Sequence, residues 1–336
     1  MNKHQTGFTL LELMIAIALG LLVVAASLMV FLTGQRSLGM QVGLSDVQQG
    51  SNFGLGSMAY DLRHTNLNTP SNQVINKKIA GSGVIFDVSN FATENPLTNV
   101  AGIITKENES DDATTGKSDQ LVIQFVPEYT EIKSDIEIEK DGASAPAVQV
   151  NAVARNNDCE GNPINFASNN AGVVGTAPIV EKPIMVYRYF IDELPDNQQI
   201  TGENTRYGLY CDAGYYFKTG DTTLHGMNDD SAQLIIQNVD AFKVRFGLKN
   251  AAGNYRYADI KTYVDDNEDN VNVVSIEVGL LIGSSQSIGA DASLNLKNTF
   301  NLAGKQVTLK ENSANSKYLR QEINQVIGFR NTLGGS

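Results

Sequence analysis

The chain has 336 residues, a formal net charge of −12, 18% charged and 42% hydrophobic residues, and two cysteines. An acidic balance argues against a broad electrostatic footprint for nucleic acid, whose binders present a basic face, so no direct nucleic-acid partner is expected. The composition is that of a globular rather than a disordered chain, and the length allows a substantial core.

The chain begins with a short polar leader and then an apolar run in which, from residue 8 to residue 32, the only strongly polar side chain is Glu12. Twenty-five residues at about 1.5 Å each make a rod of roughly 38 Å, enough to cross a bilayer. An unpaired carboxylate in hydrocarbon costs at least about 2.5 to 3.5 kcal/mol, so Glu12 needs a partner. The nearest candidate is an α-amino group created by cutting the chain. An ordinary secretory signal places its cleavage site after a short apolar core, whereas here the recognisable site precedes a long one. A plain signal anchor explains the length but neither Glu12 nor Gly7. Lys3 ahead of the run and Arg36 behind it give only a slight bias toward a cytoplasmic N-terminus.

Gly7 and Phe8, followed by Thr9, Leu10, Leu11 and Glu12, read GFTLLE. This resembles the class III signal of type IV prepilins and type II secretion pseudopilins. The resemblance implies that residues 1–7 are a leader removed by a prepilin peptidase that cuts after Gly7 and then N-methylates Phe8. It also implies that Glu12, fifth in the mature chain, pairs with an N-terminal amine, its own or a neighbour's, as subunits enter a helical fibre. Residues 8–32 are then the membrane and fibre-core helix.

Residues 33–69 keep a helical character, with Leu55, Met58, Ala59 and Leu62 forming one apolar stripe. Gly34, Gly39, Gly43, Gly50, Gly54 and Gly56 each cost up to about 1 kcal/mol relative to alanine, which predicts a segment that bends or partly unwinds. The helix is expected to end before Asn68-Thr69-Pro70. An apolar half followed by an amphipathic half is the layout of a pilin stem. Residues 48–67 (QQGSNFGLGSMAYDLRHTNL) resemble the upper stem of PilW-like minor pilins, with Asp61-Leu62-Arg63 at the place of their DLR. Gly54, Gly56 and Ala59 match a dinucleotide fingerprint by letter, but such a fingerprint follows a strand and opens a helix; small-residue packing is the reading here. Met29 departs from major pilins, which commonly carry a kinking proline at that place.

Beyond Pro70 the period changes to two. Residues 120–126, 131–139, 241–247 and 271–282 read as strands, the last with Ile276, Val278, Leu280 and Ile282 on one face. Further apolar runs lie at 184–191 and 234–236, while 318–329 is consistent with a last strand or a short helix. With no helical pattern between them, the strands predict an antiparallel sheet assembly. The fold class is therefore α+β, a long N-terminal stem helix packed on a β-rich head at 70–336. KSDQLVIQF, GLYC, QLIIQNVDAFKVRFG and VNVVSIEVGLLI are similar, in that order, to the strands of PilW-like proteins. Residues 105–118, 155–180 and 196–230 have no assigned counterpart.

The N-terminal signal places Cys159 and Cys211 outside the cytoplasm, where disulfides persist, so they are expected to pair. The alternative is two buried free thiols. The bridge would close a loop of roughly 50 residues, for which chain entropy gives about 4 kcal/mol. Zinc is not supported, because His4, His64 and His225 lie at no ligand spacing from the cysteines. Gly116-Lys117-Ser118 ends like a phosphate-binding loop, yet Asp111 stands where its first glycine belongs. Asp265, Asn267 and Asp269 have the opening spacing of a calcium loop, but Asn270 and Ile276 replace its glycine and closing glutamate, which favours an ordinary solvated turn. No catalytic signature is present, and no cofactor is expected.

The resemblance implies a non-enzymatic minor pilin that primes assembly and sits in a tip complex. It would be held in the inner membrane with its head in the periplasm before assembly, and found at the pilus tip afterwards. Its partners would be other minor pilins, the major pilin, the prepilin peptidase and N-methyltransferase, the inner-membrane assembly platform and a tip adhesin. The alternatives are a J-type pseudopilin of type II secretion, and a tip adhesin or DNA-uptake receptor, which an exposed aromatic or basic patch on the head would favour.

Overall fold

The computed structural model describes residues 9–71, 74–110, 112, 117–140, 143–167, 181–200, 205–227, 231–287, 298–310 and 318–332. Helix α1 runs as one element over Leu10–His64, 55 residues. The six glycines neither unwind nor break it. Its buried positions are Gly43, Val47, Ser51, Gly54, Leu55, Met58, Ala59 and Leu62, a single stripe at helical spacing. Tertiary packing of that stripe outweighs the weak propensity of the glycines. One of them is required: a Cβ on Gly54 would collide with Ile236, so this glycine lets the helix lie directly on a strand. Gly56, by contrast, faces open space.

The helix ends at His64, ahead of Asn68 as expected. At Thr65 the backbone turns to φ −46° and ψ 134°, and Asn66 and Asn68 adopt positive φ of 68° and 53°. Asparagine is among the residues that tolerate this left-handed region, so the exit is built by Asn66 and Asn68 ahead of Pro70. The Asn66 carboxamide then accepts from Gly83 N at 2.8 Å and from Ser71 Oγ at 2.6 Å, fixing the chain where it enters the head.

The head holds strands β1 Lys106–Ser110, β2 Ser118–Phe125, β3 Tyr129–Lys140, β4 Ala143–Asn157, β5 Pro163–Ala167, β6 Ile184–Glu193 and β7 Tyr207–Tyr216. It continues with β8 Gln233–Gln237, β9 Val239–Lys249, β10 Tyr255–Asp259, a short helix α2 Ile260–Val264, β11 Asn272–Gly283, β12 Thr299–Leu302, β13 Lys305–Thr308 and β14 Arg320–Gly328. A five-stranded sheet has the order β1-β2-β6-β7-β8, and a four-stranded sheet the order β10-β9-β11-β14. β3, β4 and β5 form a third sheet, and β12 with β13 a hairpin. All pairings are antiparallel, as the period-two runs predict. Within residues 318–329, Arg320–Gly328 form strand β14 and no helix.

The main core lies between the two larger sheets and the upper stem. Met58 and Leu62 of α1 join Ile123 of β2, Tyr187 and Tyr189 of β6, Phe242 and Phe246 of β9, and Ile276, Val278, Leu280 and Ile282 of β11. β2 is buried on both faces because the coil around Phe91, Leu97 and Val100 covers its outer side. β11 is covered in the same way where Phe300, Leu302 and Val307 of the hairpin sit on Leu281. Ser118 and Asp119 clasp the two sheets together. Ser118 Oγ accepts from Phe242 N at 2.8 Å; the Asp119 carboxylate accepts from Val244 N at 2.9 Å and from Lys243 Nζ at 3.0 Å.

Candidate functional site

The stem is where the sequence concentrates function, and its first described turn is built around Glu12. The Glu12 carboxylate folds back to accept from Thr9 N at 2.9 Å and from the Thr9 hydroxyl at 3.0 Å, while Glu12 N donates to Thr9 Oγ1 at 3.3 Å. This reciprocal cap turns the acid toward the start of the chain. Gly7 and Phe8 lie outside the described residues. Along the span, Ser27 Oγ donates to Val23 O and Thr33 Oγ1 to Met29 O, each at 2.8 Å, so these hydroxyls need no water. Every side chain from Leu10 to Leu32 is exposed, and the helix is long and apolar enough to cross a membrane.

At the other end of the stem, Asp61 of the DLR triplet meets the head. Its carboxylate accepts from the Tyr189 hydroxyl at 2.7 Å, inside the core. Burial raises its pKa from 3.8 to about 6, against the lowering effects of the Tyr189 hydrogen bond and of the nearby His64. A cavity of about 590 Å³ opens beside it, lined also by Arg63, His64, Glu128, Arg155 and Arg330. Asn331 ties the C-terminal segment to the same corner, its amide donating to Arg63 O at 3.3 Å and Thr65 O at 3.1 Å.

The pH consequence of Asp61 has a definite sign. The folded state binds the Asp61 proton more tightly than the unfolded chain does. Ionised Asp61 therefore weakens the fold above pH 6, the penalty fades as pH falls from about 6 toward 4, and below that both states are protonated. Asp61→Asn is expected to raise stability at pH 7 by on the order of 2 kcal/mol relative to the parent, with the difference closing by pH 4. Thermal melts of both proteins across that range check this; parallel curves would remove Asp61 as the cause.

Cys159 and Cys211 form a disulfide with Cα atoms 6.1 Å apart and a sequence separation of 52. Cys211 is on β7 and Cys159 in the β4–β5 turn, so the bridge staples the third sheet to the five-stranded one. Glu160, beside it, accepts from Ala213 N at 3.0 Å and reinforces the same junction.

Beside the turn with Asp265, Asn267 and Asp269, a lysine meets the backbone carbonyls at the end of α2 and a second lysine meets Asp269. Lys77 Nζ donates to Tyr263 O at 3.0 Å, to Val264 O at 3.3 Å and to Asp266 O, and Lys78 forms an ion pair with Asp269. Three carbonyls and the Asp269 carboxylate are thus engaged by ammonium groups from a segment almost 200 residues away in sequence, a contact no spacing rule could find. Among the described residues no group of three or more His, Cys, Asp or Glu is placed to hold a metal ion. The described histidines serve local structure. His64 Nδ1 lies 2.8 Å from Tyr60 O, and His225 Nε2 is 3.2 Å from Asp221.

Comparison with known proteins agrees with this geometry. Residues 201–331 match the family model described as type IV pilus-assembly protein W, and residues 2–28 match the prokaryotic N-terminal methylation motif. The first covers the strands from β7 to β14 and the second the Gly7, Phe8 and Glu12 signal, so the resemblance to PilW-type minor pilins rests on both ends of the chain. A solved type IV-like pilin from Thermus thermophilus aligns with 60% of this chain and 84% of its own at 11% identity, with a TM-score of 0.19, a superposition too poor to bear on function. No curated protein matches the chain.

Proposed function

We propose that this PilW-type chain is a non-enzymatic minor pilin that primes assembly of a type IV pilus and takes its place in a tip complex with other minor pilins. The observation that carries the reading is the single helix Leu10–His64, whose first half touches nothing in the head while its last turns are part of the head's core. Such a rod is apolar enough for a membrane and then for the core of a fibre. In this reading residues 1–7 are the leader, cleavage follows Gly7, Phe8 is N-methylated, and Glu12 pairs with an N-terminal amine. Residues 8–32 form the anchor, residues 33–69 the upper stem and its exit turn, and residues 70–336 the periplasmic head. The prepilin peptidase, the inner-membrane platform, the major pilin and a tip adhesin are its further partners.

A head of about 270 residues supports placement at a fibre end. Stems in a fibre pack side by side, so each head must fit between its neighbours, and a subunit at the end is relieved of that crowding on one side. Immunogold labelling of sheared pili is expected to mark ends at a few copies each. Regular label along the shaft would contradict this placement.

A further inference from the structure

Most arginines of the head are already engaged within the molecule. Arg188, Arg245, Arg256 and Arg320 are each ion-paired with a carboxylate, and Arg206 donates to Ser285 O at 3.0 Å. Three others are not. Arg63 in the last turn of α1, Arg155 on β4 and Arg330 in the turn after β14 are exposed, and their side chains make no ion pair or hydrogen bond among the described residues. All three line the cavity of about 590 Å³ beside Asp61. Each guanidinium is a planar fork of donors matched to the oxygens of a carboxylate or phosphate, and gathering three like charges at one cavity is costly until an anion meets them.

The cavity continues into a second of about 800 Å³, because Pro127, Glu128 and Arg155 line both. The second adds Lys182 and Lys218, which also have no ion pair among the described residues. Its own acid, Glu181, is occupied by Thr219, accepting from the backbone amide at 2.9 Å and from the hydroxyl at 2.6 Å. In the first cavity Asp61 is likewise held by Tyr189. Glu128 is exposed and shared by the two halves.

We propose that this groove binds an extended acidic peptide segment of a partner protein, its carboxylates meeting the arginines in one half and the two lysines in the other, with a non-acidic stretch passing Glu128. Charge complementarity selects that partner. Five cations less the three acids Asp61, Glu128 and Glu181 leave the groove at +2 on a chain of net charge −12, so an acidic segment is attracted here and repelled by the molecule as a whole. Glu128 decides against a nucleic acid, whose phosphates recur at every step and must face that carboxylate in any register, whereas a peptide can set a neutral residue there. A lone inorganic phosphate would use only one half of the groove. The site is formed by the head and the end of the stem, and does not depend on where in a fibre the subunit stands.

The test is fluorescence anisotropy of the full-length chain, in an uncharged detergent at low salt, with the labelled peptide GEEGGEEG and its neutral counterpart GQQGGQQG. Saturable binding of the acidic peptide alone is expected, weakening as salt is raised. Arg63→Gln, Arg155→Gln and Arg330→Gln are each expected to weaken it about fivefold, and Glu128→Gln to strengthen it by a similar factor. Lys249→Gln, on a strand of the other sheet, should leave it unchanged. Because the three arginines hold no partner in the free protein, their variants should melt with the parent, which separates lost binding from lost folding. Absence of binding, equal binding of the neutral peptide, equal binding by the arginine variants, displacement of the peptide by an equal concentration of inorganic phosphate, or tighter binding of a thymidine 20-mer would each overturn the assignment.

Discussion

Asp119→Ala is expected to destabilise the head by about 3 to 5 kcal/mol, the largest effect of any single side chain away from the stem. Asp119 and Lys243 are buried, their side chains 2% and 4% exposed, and the carboxylate also accepts from the backbone amides of Val244 at 2.9 Å and Asn108 at 3.1 Å. Burial pushes the Asp119 pKa up while Lys243 pulls it down, so the pair as such adds little net stability. Removing one partner is another matter: the Lys243 ammonium is left in the core with only the neutral acceptors Asn108 Oδ1 and Lys117 O, and two amides lose theirs. In a domain of this size the melting temperature should fall by on the order of 10 °C. The paired replacement Asp119→Leu with Lys243→Met should recover most of the loss, since it strands no charge. A single variant that melts like the parent would show that the clasp does not hold the sheets together.

The second large effect concerns the stem. Glu12→Leu is expected to leave cleavage after Gly7 intact and to remove nearly all of the protein from sheared pili. Leucine is more at ease in hydrocarbon than a carboxylate, so membrane insertion does not suffer. What is lost is attraction to the α-amino group that cleavage would expose at Phe8, an ion pair that recovers the cost of the buried charge only during assembly. In the structure the carboxylate is already turned toward that end of the chain by its bonds to Thr9. Gly7→Trp should do the reverse, leaving an uncleaved precursor in the membrane because a bulky side chain replaces the one residue that lets the strand lie flat in a peptidase cleft. Mass analysis of the N-terminal peptide, with immunoblots of membrane and pilus fractions, separates the two. Parental amounts of Glu12→Leu in pili would remove its role.

What could be read from the sequence divides along a physical line. The stripe Leu55, Met58, Ala59 and Leu62 and the alternation Ile276, Val278, Leu280 and Ile282 are local patterns, and both lie in the core as expected. The cysteine pairing needed only a compartment argument, and the disulfide is present. Stem glycines misled because propensity is a weak force beside a packed face: Gly43 and Gly54 are buried against the head, and the helix carries through the others. Strands β4, β5, β12 and β13 gave little signal, being short, exposed on one side or set in turn-rich sequence. The Asp119–Lys243 clasp, the Lys77 ammonium on its three carbonyls and the cavity shared by Arg63, Arg155 and Arg330 are made by residues far apart in sequence. They exist only once the chain is folded, so no motif announces them.

The continuity of the stem into the core decides how the head can be oriented. A domain on a flexible linker can swivel to meet its target, but here Gly54 sits against Ile236 and Asp61 is bonded to Tyr189, with no joint between anchor and sheets. The helix acts as a fixed mast, so any face of the head keeps a set angle to the rod's axis. The arginine-lined groove is therefore aimed rather than tethered, and turning it toward a new target means rotating the whole rod.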